Sequence, residues 1–208
     1  RRTVKLEQLF HGKQLILALF SPALGSLFLL TLLISAAQSS FIVGAQTISF
    51  DVLKLTSSQF GLILTVVGLV SVIMQVGVIR VLLKIFKRQE FLLTLALIGS
   101  VVTLVALFYF HQNLNWLIFL NIFYTIFASP GMPVISGLIS QRTQTEDQGL
   151  GLGLNQAYMA MGMIIGPLLA GLVAETGLSH VFLLSAGLLV LGLVAAKNLF
   201  VKVKPVNL

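Results

Sequence analysis

Six apolar stretches, separated by short polar connections, run along the chain. A helix that crosses a bilayer needs about 20 mostly apolar residues, because each residue rises about 1.5 Å and the hydrocarbon core is about 30 Å thick. Five windows meet this with no Asp, Glu, Lys or Arg: Leu24–Ala45, Gln59–Ile79, Phe91–Phe110, Trp116–Ser136 and Gly149–Val173. A sixth, Val181–Ala196, is shorter, and it reaches residue 201 if Lys197 snorkels and Leu199–Val201 extend the span. The pattern predicts an all-α membrane protein with six transmembrane helices, over about 24–45, 59–79, 91–110, 116–136, 149–173 and 181–201. Residues 1–23 then form a cytoplasmic linker with an interfacial stretch at Leu6–Phe20, stopped by Pro22, and 202–208 form a cytoplasmic tail.

The polar positions inside these windows are not spread evenly. A side-chain amide is costly in lipid unless it meets a partner or lines a wet cavity. Gln38 lies in the first window, Gln75 in the second, Asn121 in the fourth, and Asn155 with Gln156 in the fifth. The third and sixth windows carry none, so they are expected at the lipid-facing periphery, and the pattern repeats every three helices. At about 100° per residue, Thr31, Ser35 and Gln38 share one arc of helix one. Asn121, Thr125 and Ser129 do so on helix four, with Tyr124 beside them. Gln38 and Asn121, at matched expected depth, are the leading candidates to contact a solute, with Thr31, Ser35, Tyr124 and Thr125 around them. The alternative for the hydroxyls is a bond to a neighbouring helix or to their own backbone. Gln75, Asn155 and Gln156 share a second depth and are candidates for a gate. A static Gln75 to Asn155 bond is the competing expectation.

Charge sets a topology. Twelve of the 13 Lys and Arg fall on one side of a six-helix arrangement and Lys54 alone on the other, which by the positive-inside rule puts both termini in the cytoplasm. The connections around His111–Asn115 and Glu175–Ser179 are very short, so each is expected to join antiparallel packed neighbours. Thr145 and Gln148 have capping-box spacing, and Glu146 and Asp147 lie where they can face Lys84, Lys87 and Arg88 as an inner latch. The chain opens on Arg1-Arg2 with no leader-like segment, and the expectation is that it belongs to a longer polypeptide.

Composition narrows the chemistry. With 57% hydrophobic and 9% charged residues and a mean hydropathy of +1.03, the chain departs from the roughly 25% charge of soluble domains. The positives form no patch of the kind nucleic acid requires, so no nucleic-acid partner is expected. There is no Cys, the three His are far apart in sequence, and no His or carboxylate lies in any window. An enzyme, a metal site and a cofactor are therefore not expected. A channel would need a filter loop or a charged ring, and neither is present. A transporter is the leading reading; a non-catalytic six-helix scaffold or channel-like protein is the alternative.

Helix five carries the most specific spacing, with Gly149, Gly151 and Gly153, then Gly162, Gly166-Pro167 and Ala170-Gly171. Glycines four apart let another backbone approach closely, and Pro167 removes a donor so that the helix can bend. With Glu146-Asp147-Gln148-Gly149 before it and Phe182 and a Leu-rich span after it, the stretch Gln144–Ala195 resembles the major facilitator superfamily. The likeness is to the carboxy-terminal half of a drug-exporter-like member. The basic loop Gly77, Arg80, Lys84, Lys87, Arg88 lacks the Asp of that family's fuller motif, as second halves commonly do. The resemblance implies two inverted three-helix repeats, half of a twelve-helix fold, in the plasma or inner cell membrane. It implies alternating-access transport of a small-molecule substrate together with a missing amino-terminal half. Efflux and antiport are the activities it suggests, with Gly153, Gly162, Gly166, Pro167 and Gly171 serving packing and gating.

Overall fold

A computed structural model of the chain describes residues 19, 21, 24–86 and 88–196. The interfacial segment apart from Leu19, Lys87, the end of the sixth span from Lys197 and the tail lie outside the described residues. Among the described residues six helices follow in order: α1 (Gly25–Val52), α2 (Ser57–Ile85), α3 (Gln89–Phe110), α4 (Leu114–Arg142), α5 (Thr145–Ala174) and α6 (His180–Ala196). The described residues contain no strand. The first five helices are long and apolar enough to cross a bilayer. Several outlast their uncharged windows, because a charged side chain such as Asp51, Arg80, Lys84 or Arg142 near a helix end does not interrupt backbone hydrogen bonding.

Three helices are irregular. α1 ends in a π-helical turn at Ile48–Val52, and α2 contains another at Met74–Val78. α4 is α-helical over Leu114–Ala128 and again over Gly131–Arg142, with the break at Ser129-Pro130, where proline offers no N–H. Caps mark the starts of α2 and α4. Thr56 and Gln59 form a capping box, and Asn113 Oδ1 accepts from the backbone of Asn115 at 3.0 Å. The box expected from Thr145 and Gln148 does not form. Thr145–Asp147 make a 3-10 turn, and Gln148 Nε2 instead donates 3.2 Å across to Ser140 O, one of the terminal carbonyls of α4 that lack a helical partner.

α1 is the most buried span and the centre of the bundle, with α5, α4 and α6 around it. Its contacts fix the directions of its neighbours. Thr31 meets Asn155, and Ser39 meets Gly162, so α5 runs parallel to α1. Phe41 stacks on Tyr124 and Ile34 faces Gly131, so α4 runs antiparallel. α3 and α4 form the expected antiparallel hairpin, with the Phe127 ring pressed against Gly99. The α5–α6 hairpin behaves differently. After a turn in which Gly177 adopts φ 151°, α6 leaves α5 and packs chiefly on α1 and α3. Its Ser185, Ala186 and Gly192 are small enough to let those helices close in.

Burial within the chain also differs from the ranking by amides. α3 and α6 bury Leu93, Leu104, Phe182 and Leu189, while α2 is the most exposed helix and α5 the next. The reason is directional. α2 rests mainly on α4, and α5 rests mainly on α1 with lighter contact to α4 and α6, so much of their remaining surface meets no other helix among the described residues.

Candidate functional site

A cavity of about 560 Å³ lies between α1, α2 and α4. Helix α1 contributes Gln38, Phe41 and Ile42, and α2 contributes Val67, Ser71 and Gln75. The break in α4 brings Tyr124, Thr125, Ala128, Ser129, Met132, Pro133 and Ser136 to the same space. Every polar group in the lining is an uncharged amide or hydroxyl. The irregular turns shape it: the π turn of α2 begins one residue before Gln75, and the proline break of α4 sits between Ser129 and Met132. Such turns widen or tilt a helix locally and free backbone groups that a regular helix would satisfy.

Of the solute candidates, Gln38, Tyr124 and Thr125 line this cavity, whereas Thr31, Ser35 and Asn121 do not. Thr31 Oγ1 donates to Asn155 Oδ1 at 2.6 Å inside the α1–α5 contact, and Ser35 Oγ donates to Thr31 O at 2.8 Å. Asn121 is buried, and its Nδ2 donates to Leu117 O at 2.8 Å along its own helix. The matched depth of Gln38 and Asn121 does not hold. Gln38 sits at the middle of α1, and the Phe41–Tyr124 stack aligns Asn121 with about Gly44, roughly 9 Å further along. The depths read from uncharged windows were displaced because α1 and α4 continue well past those windows at one end.

The gate candidates separate as well. Gln75 faces the cavity and donates to Ser71 Oγ at 3.3 Å, Asn155 is buried against Thr31, and Gln156 is exposed on α5. The competing Gln75 to Asn155 bond is therefore absent among the described residues. Gly162 and Gly166 lie against the α1 backbone. A Cβ at 162 would fall on Leu32 O and 2.7 Å from Ser35 Cβ, and one at 166 would fall on Ser39 Oγ and Ala36 O. A Cβ at Gly153 or Gly171 would meet nothing within 4 Å among the described residues. Pro167 follows Gly166 within the continuous helix.

At the basic end, Lys84, Arg88 and Glu146 are exposed and form no ion pair among the described residues. An ion pair joins Arg142 Nη2 at the end of α4 to Glu90 Oε1 at the start of α3, at 3.5 Å. Asp147 is half-buried beside that end. Sequence reasoning overlooked the Glu90–Arg142 pair and the proline break. Both had a signal: opposite charges at the two ends of one short hairpin, and the run Ser129-Pro130-Gly131-Met132-Pro133 inside an apolar window.

No curated protein matches this sequence. The family profile of the Major Facilitator Superfamily matches residues 15–207, which spans all six helices and the cavity between them. An all-α bundle with five helices of membrane-spanning length and a shorter apolar sixth among the described residues fits that match, and the chain belongs to the Major Facilitator Superfamily of membrane transporters.

Proposed function

We propose that this chain is the carboxy-terminal six-helix half of a drug-exporter-like secondary transporter. In this reading it moves a small amphipathic solute out of the cell by alternating access, with its basic end and both termini in the cytoplasm. The observation that carries the reading is the cavity of about 560 Å³ bounded by Gln38, Gln75, Tyr124 and Thr125. It is large enough for a drug-sized molecule, and amides and hydroxyls set in an otherwise apolar wall suit an amphipathic one. The missing amino-terminal half would cover the exposed faces of α2 and α5, where Leu62, Leu69, Val76, Ile164 and Leu168 lie exposed among the described residues. Gln156, Gly153 and Gly171 on α5 would then meet that half. Lys84, Lys87 and Arg88 with Glu146 and Asp147 would form a latch at the cytoplasmic surface. Gly162, Gly166 and Pro167 let α5 rock against α1 as the two halves exchange access.

The test is efflux of Nile red, an uncharged amphipathic dye, from cells that express the complete carrier. Gln38→Trp fills the cavity from its centre and is expected to stop efflux while the protein still reaches the membrane. Efflux at the parental rate by a properly folded Gln38→Trp carrier would refute the cavity as the solute path.

A further inference from the structure

The break in α4 leaves a backbone group of the cavity wall without a partner. In a helix each carbonyl receives the N–H of the residue four positions later. For Ser129 that residue is Pro133, which has no N–H, and no other hydrogen bond reaches Ser129 O among the described residues. The backbone sets the direction of this carbonyl. Ser129 and Pro130 keep near-helical dihedrals, φ −55° and ψ −37° followed by φ −71° and ψ −19°, so the carbonyl runs along α4 toward the ring of Pro133. That ring crowds it, and a crowded carbonyl tilts away from the helix axis. The side chains lying over a helical carbonyl are those three and four positions later, as Ser129 Oγ shows by donating to Thr125 O at 2.6 Å. Over Ser129 O these are Met132 and Pro133. Both line the cavity, as Ser129 does, Pro133 is exposed there, and neither can donate. The carbonyl therefore opens between three residues of the cavity wall, near the middle of α4.

An unpaired carbonyl at membrane depth is tolerated where it lines a cavity that water or a solute can fill. Its neighbours on the wall have already committed their protons. Thr125 Oγ1 donates to Asn121 O at 2.8 Å, and Ser129 Oγ to Thr125 O. The α4 wall thus presents acceptors, and what it lacks is a donor. No charged side chain lines the cavity among the described residues, so a cation entering it would give up hydration with no carboxylate on this half to replace it. We infer that Ser129 O is the specificity-determining acceptor of the cavity and takes a neutral N–H donor, of the indole, anilide or carbamate kind, on a mainly apolar solute. This rests on the cavity being the solute site and deepens that reading by naming the group the solute carries. The bond displaces no hydrogen bond within the protein, because Pro133 supplies none.

The probes are indole, a flat apolar molecule with a single N–H, and N-methylindole, in which a methyl group replaces the donor hydrogen. Equilibrium dialysis measures the binding of each to the purified complete carrier in lipid nanodiscs, with empty nanodiscs subtracting partition into lipid. The wild type is expected to bind indole about 10-fold more tightly than N-methylindole, since the methyl leaves the carbonyl unpaired. Pro133→Ala restores an N–H that closes onto Ser129 O, so the ratio of the two affinities should fall to about one. Both affinities are read on the same protein, so a general loss of affinity does not move the ratio. Gln38→Trp fills the cavity and should abolish binding of both probes. Equal affinities in the wild type would overturn the role of Ser129 O alone. A ratio that survives Pro133→Ala would do the same, and would mark the methyl as a steric obstacle. Indole binding that persists in a folded Gln38→Trp carrier would overturn the cavity reading itself.

Discussion

Replacing Gly166 by alanine tests the α1–α5 contact on which any rocking of α5 depends. The added Cβ would fall on Ser39 Oγ and Ala36 O and lie 3.0 Å from Ser40 N, all of them on α1. At the neighbouring Gly162 the same addition meets Ser35 Cβ at 2.7 Å, about 0.8 Å inside the closest comfortable carbon–carbon separation of about 3.5 Å. Two of the atoms at Gly166 belong to backbone, so the conflict is not relieved by a side-chain rotation. The helices must part instead, and overpacking of this kind costs about 1 to 3 kcal/mol. Parting them also strains the 2.6 Å Thr31–Asn155 bond, a class of interaction worth about 0.6 kcal/mol on average in membrane proteins. Against this stands a gain of about 1 kcal/mol for alanine over glycine inside a helix. The net expectation for Gly166→Ala is a loss of roughly 0.5 to 2.5 kcal/mol. Gly171→Ala, on the same helix with nothing within 4 Å of the new atom, should be neutral or gain up to about 1 kcal/mol in the isolated chain. Reversible unfolding in mixed detergent micelles, followed by circular dichroism, measures both. If Gly166→Ala is as stable as Gly171→Ala, the close approach of α1 and α5 is not what holds this bundle together.

Thr31→Val removes the donor to buried Asn155 and should cost about 1 to 2 kcal/mol in the same unfolding assay, while solute binding to the intact protein stays near wild type. Gln38→Ala is expected to do the reverse, altering solute preference in a binding or efflux assay with a melting temperature close to wild type. Glu90→Gln weakens the link between the start of α3 and the end of α4, and because both partners are largely shielded from water a loss of about 1 to 3 kcal/mol is expected by thermal melting. For sidedness, single cysteines at Arg88 and Glu146 should resist an impermeant thiol reagent added outside intact cells, and one at Asn113 should react; outside labelling at Arg88 would invert the proposed topology. Thr143 is a poor reporter for this purpose, since it is buried and donates to Ile139 O at 2.8 Å.

The apolar helices were legible in the sequence because lipid imposes a strong local rule: a segment must be apolar for about 20 residues and satisfy its own backbone. The packing role of Gly162 and Gly166 was legible too, since a missing side chain four residues from another is itself a statement about how near a second backbone can come. Which side of each polar residue mattered was not. Thr31 and Gln38 differ by only about 20° around α1, yet one bonds to α5 and the other borders the cavity, because the boundary between two neighbouring helices falls between them. Depth failed for a related reason. Charged residues near the interface do not end a helix, so a midpoint counted from uncharged residues places Gln38 and Asn121 level when Phe41 and Tyr124 align them about 9 Å apart. A short turn fixes where two helices begin and leaves open where they go, which is why the α5–α6 connection did not reveal that α6 packs on α1 and α3. The sequence by itself thus determined the membrane class, the order of the apolar helices and the face on which α5 can be approached. Only the tertiary structure decided which polar groups meet a helix and which meet a cavity, because that depends on how neighbouring helices are rotated, and rotation is settled by contacts between residues far apart in the chain.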